Sequence, residues 1–137
     1  MLEVSDKTMP NGERRFYRMH DDGSGYVRTE TTVGGWQNSH FHEGIREWYA
    51  VQRGWMAYAE LVKTAMGTTL RVRICHEGGH FVTESGIAHN VYLPADTAIH
   101  TVKFGKTGNG PDWHASPELD GLTKQLTEED IHRLAGG

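Results

Sequence analysis

From residue 14 to about residue 104 the chain runs as short stretches rich in Val, Ile, Thr and aromatic residues, broken by "NG", "DDGSG", "GG", "MG" and "EGG". This is the punctuation of antiparallel strands joined by hairpins, and it leaves little room for any other architecture. The run "TTLRVRIC" alternates most clearly. Leu70, Val72 and Ile74 fall on one side and Arg71 and Arg73 on the other, as a half-buried strand requires. The pattern predicts strands over 14–19, 26–33, 36–42, 46–53, 55–63, 68–75, 80–83, 89–93 and 98–104. So many short strands with tight turns indicate an all-β fold, a sandwich or a small barrel.

After Gly105 the grammar changes. "GKTGNGPD" reads as a loop. "SPELDGLTK" then offers Ser116 as a helix N-cap, Pro117 at the first helical position and Glu118 in the first turn. "LTEEDIHRL" repeats the signal, with Thr127 as cap, acids at 128–130, and Ile131 and Leu134 on one face. Two short C-terminal helices are expected, packed on the outside of the strands or on a partner chain. With 137 residues and no internal repeat, the chain reads as one domain over 1–137.

The single cysteine, Cys75, cannot close an internal disulfide, and no apolar run approaches the roughly 20 residues of a membrane span. A cytoplasmic protein is expected. A net charge of −4, with Lys and Arg scattered among Asp and Glu, provides no footprint for nucleic acid or an anionic membrane. The composition stands out in its nine histidines, since imidazole is the commonest metal ligand and titrates near neutral pH.

In a strand, residues two apart share a face, so His40 and His42 aim their rings into one space. On its own the tripeptide fits a structural or surface pair better than a pair of ligands. Its setting is more specific. From Gly34 there follow five residues, His40, one residue, His42, four residues, Glu47, six residues and Gly54. This resembles the first motif of the cupin superfamily at every fixed position. "GGHFVTESGIAHNVYL" resembles the second: Gly78, Gly86 and His89 are in place, while Glu84 stands where the family has proline and Leu93 where it has asparagine. The resemblance covers residues 26–104, with 105–137 as a C-terminal loop and helices.

The resemblance implies a double-stranded β-helix, a jelly-roll barrel, holding one divalent metal per chain with His40, His42, Glu47 and His89 as ligands. Three neutral imidazoles and a carboxylate suit Fe, Mn, Ni, Co, Cu or Zn. A metal-free binding barrel is the alternative. Within the superfamily the expected function is a metal-dependent, oxygen-dependent oxidoreductase acting on a small polar or carbohydrate-like substrate. A metal-dependent sugar isomerase or epimerase, or a non-catalytic sugar-binding module, are the alternatives. A homodimer is expected, because single-barrel cupins are commonly dimers.

Strand parity extends the site. Asn38 and Trp36 share the parity of the histidine pair, and Tyr49, Val51 and Arg53 that of Glu47. Trp36 is thereby expected to face the site, ready to stack on a sugar ring. Tyr49 is a candidate proton donor or substrate contact, with core packing as the alternative. On "AIHTVKF" the apolar set Ala98, Val102 and Phe104 predicts His100 inside, as a candidate acid/base, and Lys103 outside. Trp48 and Trp55 are expected outward, marking the dimer contact with the tail helices, and Cys75 outward as an inert thiol. His20, His76, His114 and His132 are expected in solvent.

Overall fold

The computed structural model describes residues 2–105 and 111–136. Its strands are β1 (Leu2–Thr8), β2 (Arg14–His20), β3 (Gly25–Glu30), β4 (Gly35–Trp36), β5 (His40–Phe41), β6 (Arg46–Arg53) and β7 (Trp55–Thr64). They continue as β8 (Gly67–His76), β9 (His80–Val82), β10 (His89–Leu93), β11 (Ala98–Phe104) and β12 (His114–Ala115), followed by helices α1 (Pro117–Thr123) and α2 (Glu128–Gly136). One antiparallel sheet runs β1-β2-β3-β11-β6-β9. The other runs β12-β5-β10-β7-β8, with β4 also pairing β10. The two-sheet jelly roll with short C-terminal helices is the fold read from the sequence. Neither helix is long and apolar enough to cross a membrane. Residues 106–110 of the expected loop lie outside the described residues.

The facing sides of the sheets meet in an inner core. Tyr49, Val51 and Ile99 from the first sheet pack with Met56, Tyr58, Val91 and Leu93 from the second. Leu93 thus fills the second motif's asparagine position as a core residue. The turn at the end of the first motif shows why that motif ends in glycine. Gly54 has φ +84°, and a Cβ there would collide with the Thr97 hydroxyl.

A second core lies on the outer face of the second sheet, where Ala57, Ala59, Val72, Tyr92 and Trp36 pack beneath Ile131 of α2. The alternation in β8 is therefore correct, but its apolar side meets α2. Arg73 and Cys75 face the inner core instead. The Arg73 guanidinium lies 4.4 Å from the Phe81 ring centre, and Cys75 packs partly buried, burial raising its thiol pKa. The expected outward face of Cys75 is thereby corrected. Thr127 and Asp130 cap α2 reciprocally, each side chain accepting the other's backbone N–H at 3.2 and 3.0 Å. Ile131 is fully buried, while Leu134 stays exposed and Ala135 takes its place in the core.

Trp36 also departs from the parity reading. Between β4 and β5 the backbone leaves strand geometry, so the period of two does not carry from 36 to 40. Trp36 turns under α2, donating its indole N–H to the Leu126 carbonyl at 3.1 Å, and does not face the site. Trp55 lies against His132 of α2, its ring centre 4.9 Å away, whereas Trp48 is exposed on the opposite sheet. The two tryptophans do not form one surface.

Candidate metal centre

Antiparallel pairing of β5 with β10 sets His40 directly opposite His89, with ring centres 4.5 Å apart. His42 follows the end of β5, and Glu47 enters from β6 in the facing sheet. The ligand atoms of His40, His42, Glu47 and His89 all lie within 4.8 Å of one another, and all four residues are buried. His42 Nε2 and His89 Nε2 stand 3.2 and 3.1 Å from Glu47 Oε1. Among the described residues none of these three atoms has a hydrogen-bond partner.

The rings are oriented from behind. Nδ1 of His40 faces the Asn38 carbonyl at 2.9 Å, that of His89 the Ile87 carbonyl at 3.2 Å, and that of His42 the Asp112 carbonyl. A carbonyl only accepts, so each Nδ1 carries a proton and each Nε2 is left to act as a ligand atom. Buried, orphaned polar atoms around one carboxylate are costly unless a cation fills the space between them. Three such imidazoles and one carboxylate fit a first-row divalent ion, and these residues form a candidate divalent-metal site.

Electrostatics agree. Burial, aided by neighbouring His89, pushes the His40 pKa down to about 3, keeping that ring neutral. Burial also opposes charge on His42, but Glu47 and the Asp112 carbonyl outweigh it and raise its pKa. The pull that Glu47 exerts on a proton there is the pull it exerts on any cation in the cluster. For Glu47 burial is likewise outweighed, here by the His42 and His89 rings and the Lys103 ammonium, and the carboxyl is held well below its usual range.

Other groups fix these side chains. Tyr49 donates its hydroxyl to Glu47 Oε2 at 3.2 Å, and Thr83 Oγ1 accepts the Glu47 backbone N–H at 2.9 Å. Tyr49 is therefore at the site, and burial beside the Glu47 charge keeps its phenol protonated far above neutral pH. The Asp112 carboxylate receives the backbone N–H groups of Glu43, Gly44 and Ile45 at 2.7, 2.9 and 2.8 Å, holding the turn after His42. Helix α1 steadies β5 in the same way, since Asp120 accepts the Ser39 N–H at 2.8 Å.

His100 is not at the site, and its expected inner position is corrected. It lies on the outer face, stacked on Tyr26, with Nδ1 2.6 Å from the Tyr26 hydroxyl and Nε2 2.9 Å from Gln52 Oε1. Lys103, expected outside, turns inward and brings Nζ to 3.7 Å from Glu47 Oε2. The reason is chemical. This end of the barrel is a polar cavity, so the inward residues of β11 are Thr101 and Lys103 while apolar Val102 and Phe104 face out, the reverse of an ordinary strand. His114, expected in solvent, is only partly exposed, stacking on Phe41 and facing Asp112 at 3.3 Å.

The cavity, about 210 Å³, is lined by His40, Glu47 and Tyr49 together with Arg15, Tyr17, Gln37, Lys103 and Trp113. Trp113 stacks on His40 at 5.3 Å and 24°. The sequence reading missed these last five. In "RRFYRMH" both parities mix charged and aromatic residues, so no pattern tells Arg15 and Tyr17 from their outward neighbours.

A two-sheet jelly roll with three imidazoles and a carboxylate converging inside it is the fold and the ligand cluster that the sequence resemblance implies. No protein-family model and no curated protein sequence matches it. Among solved structures it is similar to the Lactobacillus farciminis oxalate decarboxylase formate complex, at 14% identity and TM-score 0.63 over 96% of this chain and 38% of that one. It is similar also to Bacillus subtilis oxalate decarboxylase at pH 4.6, at 16% identity and TM-score 0.63 over 98% of this chain and 37% of that one. A further structure of that protein, with TM-score 0.62, was described for its Mn(II) centres. The chain thus spans only 37% to 38% of the length of these structures, and the likeness is one of fold.

Proposed function

We propose that this chain is a metal-dependent enzyme that oxidises a small polar substrate with dioxygen, in the cavity bounded by His40, Glu47 and Tyr49. The observation that carries the reading is the set of three imidazoles, each with its Nδ1 proton engaged by a carbonyl, gathered around the Glu47 carboxylate. A redox-active divalent ion held by His40, His42, Glu47 and His89 supplies a Lewis acid and a path for electrons. The chain's own residues do the rest. Tyr49 and Lys103 hold Glu47 from one side, Asp112 fixes His42, and Trp113 covers His40.

The isomerase alternative needs a base that shuttles a proton. Against it, His100 is on the outer face and the Tyr49 hydroxyl is engaged as a donor to Glu47 Oε2. A lyase is the second reading, favoured by the fold neighbours, which are oxalate decarboxylases. The test is turnover of a panel of small polyols and organic acids by iron-, manganese-, copper- and zinc-loaded protein, with and without oxygen. Turnover that stops without oxygen and fails with zinc supports the oxidase. Release of carbon dioxide with no net oxygen consumption supports the lyase, and undiminished anaerobic turnover by the zinc form restores the isomerase.

We also propose a homodimer. A light-scattering mass near 15.4 kDa at micromolar protein argues against it.

A further inference from the structure

The cavity contains cationic groups that the ligand cluster does not use. Glu13 is 1% exposed, and its carboxylate is fully engaged. It receives Arg15 Nε at 2.9 Å, pairs with Arg15 Nη2 at 2.7 Å, and accepts Gln37 Nε2 at 3.1 Å on both oxygens. A buried carboxylate so placed acts as an anchor, setting the Arg15 guanidinium and the Gln37 amide in the cavity wall. Arg15 Nη1 meets the Tyr17 hydroxyl at 3.4 Å, and further guanidinium N–H groups remain for a ligand.

Lys103 is the second cation. Its side chain is 24% exposed, its Nζ stands 3.7 Å from Glu47 Oε2, and among the described residues it makes no hydrogen bond. Among the described residues this ammonium, with three donors and largely withdrawn from water, has one long ion pair and no hydrogen-bond acceptor.

The charges point the same way. Glu13 and Glu47 balance Arg15 and Lys103, so a divalent ion at the cluster adds two positive charges, of which the Asp112 carboxylate behind His42 offsets one. A low-dielectric cavity with that excess selects an anion. The volume of about 210 Å³ gives room for a small ligand between Arg15, Lys103 and the ligand cluster.

We infer that Arg15 and Lys103 form a carboxylate-binding site in this cavity, and that the substrate is a small organic acid rather than a neutral sugar. The inference rests on the proposal that the cavity is the substrate pocket. Arg15 presents the planar fork that matches a carboxylate, and Lys103 adds a point charge beside the ligand cluster. Glu13 and Gln37 are positioning residues, acting through Arg15 and the cavity wall.

The experiment is calorimetric titration of zinc-loaded protein with acetate, glycolate, lactate and malonate, with acetamide and glycolamide as neutral partners of the first two, and with inorganic phosphate. Metal content is measured in each sample. At least one carboxylate is expected to bind, acetate or glycolate about tenfold or more tightly than its own amide. Lys103→Met and Arg15→Gln should each weaken carboxylate binding about tenfold or more while one metal per chain is retained. Lys103→Met leaves the Glu13–Arg15–Gln37 group intact, so it decides the matter should Arg15→Gln fail to fold. Equal binding of acid and amide, unchanged carboxylate affinity in Lys103→Met, tighter binding of phosphate, or no carboxylate binding at all overturns the inference. Because binding is read without turnover, the two proposals fail separately. Carboxylate binding with no product under any metal removes the enzyme and keeps the site, whereas turnover of a neutral polyol with no carboxylate binding does the reverse.

Discussion

Asp112 holds His42 in two ways, its carbonyl accepting the Nδ1 proton and its carboxylate collecting the backbone N–H groups of Glu43, Gly44 and Ile45 just beyond. Groups behind a metal ligand set its orientation and basicity, and losing one typically costs about 10–100-fold in affinity. Asp112→Ala keeps that carbonyl but releases the turn after His42 and with it the carbonyl's placement, so it should weaken metal binding by about tenfold, read by competition with a chromophoric chelator.

The same clamp gives an acid dependence. Burial works against the Asp112 charge, but the three backbone donors outweigh it and lower the pKa from 3.8 to about 2. A depressed folded-state pKa means stability that is present above 3.8 and lost as pH falls toward 2. The stability difference between wild type and Asp112→Ala, followed by denaturant unfolding, should be constant above about pH 5 and shrink through this window.

Much of the site is legible in the sequence because its ligands sit at fixed intervals on strands. The strands over 46–53, 89–93 and 98–104 begin and end where the sequence places them, and the period of two carries Glu47 and Tyr49 inward together. The rest is hidden for physical reasons. Apolar residues ordinarily mark the interior, which points His100 inward, yet near a polar cavity the interior positions are Thr101 and Lys103. Trp36 escapes the parity rule because parity does not survive the irregular backbone between β4 and β5. β1 has no buried residue to announce it, and Asp112 acts through backbone contacts far from its own position in sequence.

Tyr49 and His100 should now behave differently. Tyr49→Phe removes the hydroxyl that supports Glu47 Oε2, costing about 1 kcal/mol of stability and slowing turnover while metal is retained. His100→Ala, on the outer face, should leave metal content and turnover unchanged. Thermal unfolding, elemental analysis and steady-state rates on the two variants read this directly.

Ile131 is fully buried between α2 and the outer face of the second sheet. Ile131→Ala should destabilise the chain by about 2–5 kcal/mol in denaturant unfolding, through lost burial and the cavity left behind. Leu134→Ala, one turn further along but exposed, should change stability by less than about 0.5 kcal/mol.

The central claim is that His40, His42, Glu47 and His89 hold one divalent ion. Elemental analysis of wild type, His42→Ala, His89→Ala and His114→Ala after reconstitution with iron, manganese, cobalt, nickel, copper or zinc tests it most directly. One equivalent of metal per chain in the wild type and in His114→Ala, with little or none in His42→Ala and His89→Ala, is the expected result. Wild-type protein that retains no metal from any of these ions contradicts the account.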